Sequence, residues 1–223
     1  MSVLALLLTA LLYPLSRQVE QQQVRRTEQQ LSEIREALYG FAISHGRLPR
    51  PARSERDGEE RDTCANELEC NGFIPWATLG VPRADAWGRL FMYSVARKFA
   101  DSTARLSLND AGIYTLHTRL TSAPSDLTPL AVKLVAVVRS FGARNFGRSE
   151  QATDLANLSY TNIDEIFNSG TDTRLRPLNS LTFRFRSPSD QEDPGSGGPF
   201  DDQMVWIPTS IFMRHMVEAG HLP

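Results

Sequence analysis

The residues of this 223-residue chain with chemistry to offer are four histidines, two cysteines and a carboxylate-rich stretch near the C-terminus. His215, Glu218 and His221 lie three apart. That is not the H-E-x-x-H spacing that sets two imidazoles and a base around zinc on one helical face, so they read as polarity at a helix end. Ser196 sits in DPGSGGP without the G-x-S-x-G elbow that presents a hydrolase nucleophile. Gly142 and Gly147 in RSFGARNFGRSE belong to neither the P-loop nor the G-x-G-x-x-G pattern, which argues against a phosphate cradle. The expectation is a protein that is not an enzyme.

The acidic stretch holds more. Asp190, Glu192, Asp193, Asp201 and Asp202 flank the glycines of SPSDQEDPGSGGPFDD. Carboxylates on a Gly-rich loop suit Ca²⁺, which takes six to eight oxygen ligands, and Asp201 with Asp202 are the pair to test first. The spacing fits no defined calcium motif, and a solvated loop is the competing reading. Cys64 and Cys70, in TCANELEC, are a poor metal site, with two thiols, no C-x-x-C and no nearby histidine. They suit a disulfide closing a short loop in an oxidising compartment, with two free thiols as the alternative. Such a ring would contribute roughly 2–2.5 kcal/mol in the loop-entropy picture.

These groups need elements to hold them. Hydrophobic residues are 41% and charged residues 22% of the chain, which is ordinary globular composition. The formal net charge of −2 argues against a nucleic-acid partner. Residues 1–16, MSVLALLLTALLYPLS, carry no charge, and 17–48 continue as a polar, helix-favouring stalk. Leu4, Leu7, Leu8, Leu11, Leu12 and Leu15 would supply a membrane and assembly face. The apolar run Val3–Leu15 is shorter than the ~20 residues a span needs, and Arg17, Arg25 and Arg26 follow it. We therefore expect the remainder of a longer helix, with a basic leader and further apolar residues upstream. Along the stalk, Leu31, Ile34, Leu38, Phe41 and Ala42 recur at helical spacing. The helix should end near Gly46, ahead of Pro49 and Pro51.

Residues 49–223 then form the head. The run 50–72 reads as a charged, solvated loop, and Trp76 and Trp87 as core anchors packing a loop onto the sheet and the stalk helix. In the Asp85-Ala86-Trp87-Gly88 turn, Asp85 would accept backbone hydrogen bonds and Gly88 would take a conformation other residues resist. Strands are expected at Leu90–Val95, Ala131–Val138 and Leu181–Arg186, the last half-exposed and antiparallel, and at MVWIP, 204–208. Tyr160–Asp172 reads as loop or edge. A closing helix would begin at a Thr209 or Ser210 cap and stop at Gly220.

An uncharged N-terminal segment running into a long helix, then ALYGFAISHGRLP, IPWATLG and DAWGRLFMYSV, resembles the type IV pilin and type II secretion pseudopilin superfamily. The residues that carry the likeness are Gly46 to Pro51 at the end of the stalk, Trp76, and Asp85, Trp87, Gly88 and Tyr93 around the first strand. The resemblance implies a pilin-like α+β fold, with a long N-terminal helix packed on an antiparallel sheet and a short C-terminal helix. It implies a minor subunit of a secretion pseudopilus or type IV pilus, anchored single-pass in the bacterial inner membrane with its head periplasmic. Its partners would be other pilin-like subunits, with a prepilin peptidase only if a leader lies upstream. Major pseudopilins hold Ca²⁺ on a C-terminal loop, which is what the likeness implies for Asp201 and Asp202. A non-polymerising membrane-anchored or secreted periplasmic binding domain is the alternative.

Overall fold

The computed structural model describes residues 2–101, 105–119, 127–144, 146–151, 153–154, 161–170 and 181–223, with side chains from Arg17 onward. Helix α1 covers Ser2–His45, 44 residues, or about 66 Å at ~1.5 Å per residue. It ends where expected, at Gly46, whose φ of 70° is left-handed and whose N–H reaches the Ala42 carbonyl at 2.8 Å. Of the expected stripe, Leu31, Ile34, Leu38 and Ala42 are buried. Phe41 is only half-buried at the margin, its ring stacked on His45.

The remaining elements are β1 (Asn71–Phe73), α2 (Trp76–Leu79), β2 (Met92–Val95), α3 (Arg97–Ala100), β3 (Tyr114–Arg119), β4 (Leu127–Ser140), α4 (Ile163–Ser169), β5 (Thr182–Arg184), β6 (Gln203–Pro208) and α5 (Thr209–Glu218). They make a mixed α+β protein around one sheet, in the order β1-β2-β4-β3-β5 with β6 also on β4. β4 organises it. Its second half pairs with β2 and β6, from Val95↔Ala136 to Ser140↔Gln203. Its first half pairs with β3. Leu134 to Ser140 are buried, as a strand flanked on both edges should be. α1 lies mainly against β6, and also touches α5, α2 and β4.

The structure corrects several expectations. β5 runs parallel to β3, through Leu116↔Phe183, so the sheet is mixed rather than antiparallel. The Tyr160–Asp172 stretch, of which 161–170 are described, contains helix α4 instead of a loop or edge. Thr209 does not cap α5. Its hydroxyl accepts from the Gly112 N–H and donates to the Lys133 carbonyl, tying β4 and the segment leading into β3 to the helix start. Trp76 is half-buried and packs against the core, with α2 touching α1, whereas Trp87 is half-buried outside the core cluster. Trp76 closes over Gly58, where a Cβ would collide with the indole, and Arg83 lies 5.1 Å from its ring centroid. Cys64 and Cys70 form the disulfide, with Cα atoms 5.2 Å apart.

The single-pass inner-membrane anchor over 1–16 is also corrected. Among the described residues, no helix is long and apolar enough to cross a membrane. The physical reason lies in composition: the apolar run stops at Arg17 and α1 continues with Glu20, Arg25, Arg26 and Glu28.

Candidate functional site

The turn entering β6 delivers Asp201 and Asp202, and the first turn of α4 delivers Glu165 beside them. One carboxylate oxygen of each lies within 4.8 Å of the other two. Asp201 is fixed by backbone: its Oδ2 accepts from the N–H groups of Ala143 and Arg144, each at 3.0 Å. Its own N–H donates to Glu165 Oε1 at 2.6 Å. This is why residue 142 is glycine. It takes φ 65°, and a Cβ there would run into the Asp201 carboxylate. Asp202 Oδ2 accepts from Asn168 Nδ2 at 2.7 Å, and Asn168 Oδ1 accepts the Arg184 N–H at 2.8 Å, locking α4 to β5. Asn162 Nδ2 donates to Glu165 Oε2.

Three oxygens around this cluster are buried without a partner among the described residues: Asp201 Oδ1, Asp202 Oδ1 and Asn162 Oδ1. Desolvation dominates the electrostatics. Burial, reinforced by the charges of Asp202 and Asp201, pushes the Glu165 carboxyl up to about 10. Burial pushes Asp202 up to about 8, against the opposing pull of its Asn168 hydrogen bond and of Arg139 and Arg89. Asp201 is also raised by burial. Ca²⁺ takes its oxygens at about 2.3–2.6 Å, so any two of them stand at most about 5 Å apart. The carboxylate spacing and the three orphaned oxygens therefore fit a hard divalent cation, held by Glu165, Asp201 and Asp202 with Asn162 beside them. The same crowding makes protons the alternative occupants.

The other acidic residues of the stretch do not join. Asp190 pairs with Arg144, Glu192 accepts from the Thr161 hydroxyl, and Asp193 accepts from the N–H groups of Gly195 and Ser196 in a 3₁₀ turn. Glu165 was missed in the sequence. The signal available was NIDEIFNSG, where Ile163, Ile166 and Phe167 sit at helical spacing ahead of a terminating Gly170.

A second polar knot lies on the neighbouring residue. Asp164, fully buried, accepts from Arg119 Nε at 2.9 Å, Arg184 Nη1 at 2.8 Å and Arg186 Nε at 3.0 Å. It gathers β3, β5 and the following loop around α4. The Asp85 turn behaves as expected. Asp85 accepts from Trp87 and Arg89 N–H groups at 2.9 Å and from the Ser140 hydroxyl at 2.6 Å, and Gly88 has φ 75°. The turn is also fastened to α1, since Ala86 N–H donates to Thr27 Oγ1 and Gln30 Nε2 donates to the Ala84 carbonyl. Tyr93 is buried in β2 with its hydroxyl on the Pro49 carbonyl at 3.0 Å. The histidines are dispersed: His215 packs on Tyr39, His221 meets the Ile43 carbonyl, and His117 lies in β3.

Along α1 the described side chains divide at Thr27. Arg17, Gln18, Val19, Gln21, Gln22, Arg25 and Arg26 are exposed, and full burial begins at Thr27 and recurs at Gln30, Leu31 and Ile34. No protein-family model matches this chain, and none of the curated proteins or solved structures matches it.

Proposed function

We propose that this chain is a pilin-like structural subunit that assembles through α1 with other pilin-like subunits into a filament of the secretion-pseudopilus or type IV pilus kind, as a minor subunit. The observation that carries the reading is the division of α1 at Thr27. Before Thr27 the described side chains are exposed or at most half-buried; a helix so little covered lacks much of the packing that stabilises most protein helices, and neighbouring copies of the same helix supply it. Polar pairing among Arg17, Glu20, Arg25 and Glu28 would then set the register between copies. The disulfide suits assembly in an oxidising compartment.

A divalent cation fits the same picture, fastening the β6 entry turn to α4 through Glu165, Asp201 and Asp202. The competing reading is a binding domain that does not polymerise. Sedimentation velocity of the purified full chain over a concentration series, with crosslinking through Val19→Cys, separates the two. Concentration-dependent growth with Val19 crosslinks is expected. A chain that stays monomeric and never co-purifies with another pilin-like subunit would defeat the filament reading. For the cation, Ca²⁺ should raise the melting temperature of the parent and leave Asp202→Asn unmoved; an equal rise in both would remove the site.

A further inference from the structure

Two clefts of about 500 and 300 Å³ lie end to end between α1 and β6, sharing Met204 and Val205. Side chains alternate across a strand, so a groove lying over one face meets every second residue. Here Met204, Val205 and Trp206 line one cleft in succession. The combined groove therefore looks onto the edge of β6. That edge is the one away from β4, and among the described residues β6 pairs with no other strand. Its amide and carbonyl groups are the template that strand addition uses. At the far end of the groove Glu28 stands exposed on the α1 wall.

The same molecule carries a segment of matching character. The first half of β4, Leu127–Lys133, pairs with β3, while β2 and β6 engage only the later residues. It projects with Leu130 48% and Val132 52% exposed, two positions apart on one face, and ends in an exposed Lys133. Seven residues extend about 23 Å, which matches the six of β6. Aligned antiparallel with Lys133 opposite Gln203, the strand sets Leu130 opposite Trp206 and brings the Lys133 ammonium toward Glu28.

We propose that the outer edge of β6 receives the Leu127–Lys133 strand of a second copy of this chain, so that the sheet of one head continues into the next. The inference rests on the filament reading and adds a head-to-head contact to it. Donor and acceptor are different surfaces of one molecule, so the contact is heterologous and propagates instead of closing into a dimer.

Two full-length variants test it, since the chain has no free cysteine of its own. Ala131→Cys and Val205→Cys, opposite each other in this register, are mixed and oxidised gently. Docking raises the local thiol concentration toward the millimolar range, so the mixture should give crosslinked dimer at least about tenfold above either variant alone. Leu130→Asp combined with Val132→Asp, with an unchanged circular dichroism spectrum, should abolish the excess. Dimer from the mixture no greater than from each variant alone overturns the proposal, as does equal dimer from Ala131→Cys by itself, which signals a symmetric contact. Val19→Cys in parallel separates the two readings. Crosslinks through α1 without crosslinks between strands leave the filament standing and remove the strand contact, and neither kind of crosslink removes both.

Discussion

Replacing Asp164 by Asn should be among the most damaging single changes available to the head. The side chain is fully buried, and its two oxygens take hydrogen bonds from three guanidinium groups whose own side chains are 5%, 14% and 12% exposed. Each guanidinium–carboxylate pair, with charge centres roughly 4 Å apart, attracts by on the order of 4 kcal/mol at an effective dielectric of about 20. Mutual repulsion of the three arginines and their desolvation offset most of that sum. Asn keeps the volume and one acceptor but removes the negative charge on which the three arginines converge, and turns an N–H₂ toward donors. The expected loss is about 3–5 kcal/mol, the usual cost of leaving buried charges uncompensated. Urea unfolding followed by tryptophan fluorescence reads it directly. With m of roughly 2–3 kcal/mol/M, the midpoint should fall by about 1–2 M. Arg186→Gln supplies the contrast: it removes one of three like charges, together with a bond to the Gly198 carbonyl and a contact with the Phe200 ring, so its cost should be about 1.5–3 kcal/mol, the range for hydrogen bonds to charged groups. A loss below about 1 kcal/mol for Asp164→Asn, or equal losses for the two variants, would refute the reasoning.

Three further outcomes are expected. Cys64→Ser with Cys70→Ser should lower stability by roughly 2–2.5 kcal/mol in the loop-entropy account, checked by the same titration with and without reductant. Asp85→Ala strips the partner from two backbone N–H groups and the Ser140 hydroxyl; the cost should be about 2–4 kcal/mol, and an unchanged midpoint would remove the turn's structural role. Glu165 and Asp202 are raised from 4.5 and 3.8 to about 10 and about 8. Their folded forms hold protons that the unfolded chain releases, so their contribution is fully present below about pH 4 and is lost as pH rises through 8 and then 10. In chelator, the melting temperature should fall across pH 5–9, and Glu165→Gln should flatten the slope; a melting temperature that climbs over that window contradicts it.

How much of this was legible beforehand depended on how local the cause was. The α1 stripe, its stop at Gly46, the Asp85–Gly88 turn and the run into β6 and α5 depend on neighbours within a few residues, and each lay near its expected place. The parallel direction of β5 did not, because Phe183 finds Leu116 far back in the chain and alternation along LTFRFR says nothing about direction. Helix α4 was missed because seven residues give barely two turns of periodicity, and Asp164 and Glu165 look like loop polarity in one dimension. Of the cation cluster, Asp201 and Asp202 were readable from their Gly-rich setting. Glu165 was supplied by tertiary packing, and so were the three arginines that converge on Asp164.

The fastening of the Asp85 turn to α1 determines how the head would bear a load. Thr27 and Gln30 belong to the first helical turn that the head covers, and they hold Ala86 and Ala84. From there Asp85 reaches Ser140 at the end of the central strand. A pull along the helix axis thus reaches the sheet at β4, the strand that pairs with β2, β3 and β6. The 50–72 loop shares that load through Glu60, which pairs with Arg47 just beyond the end of α1.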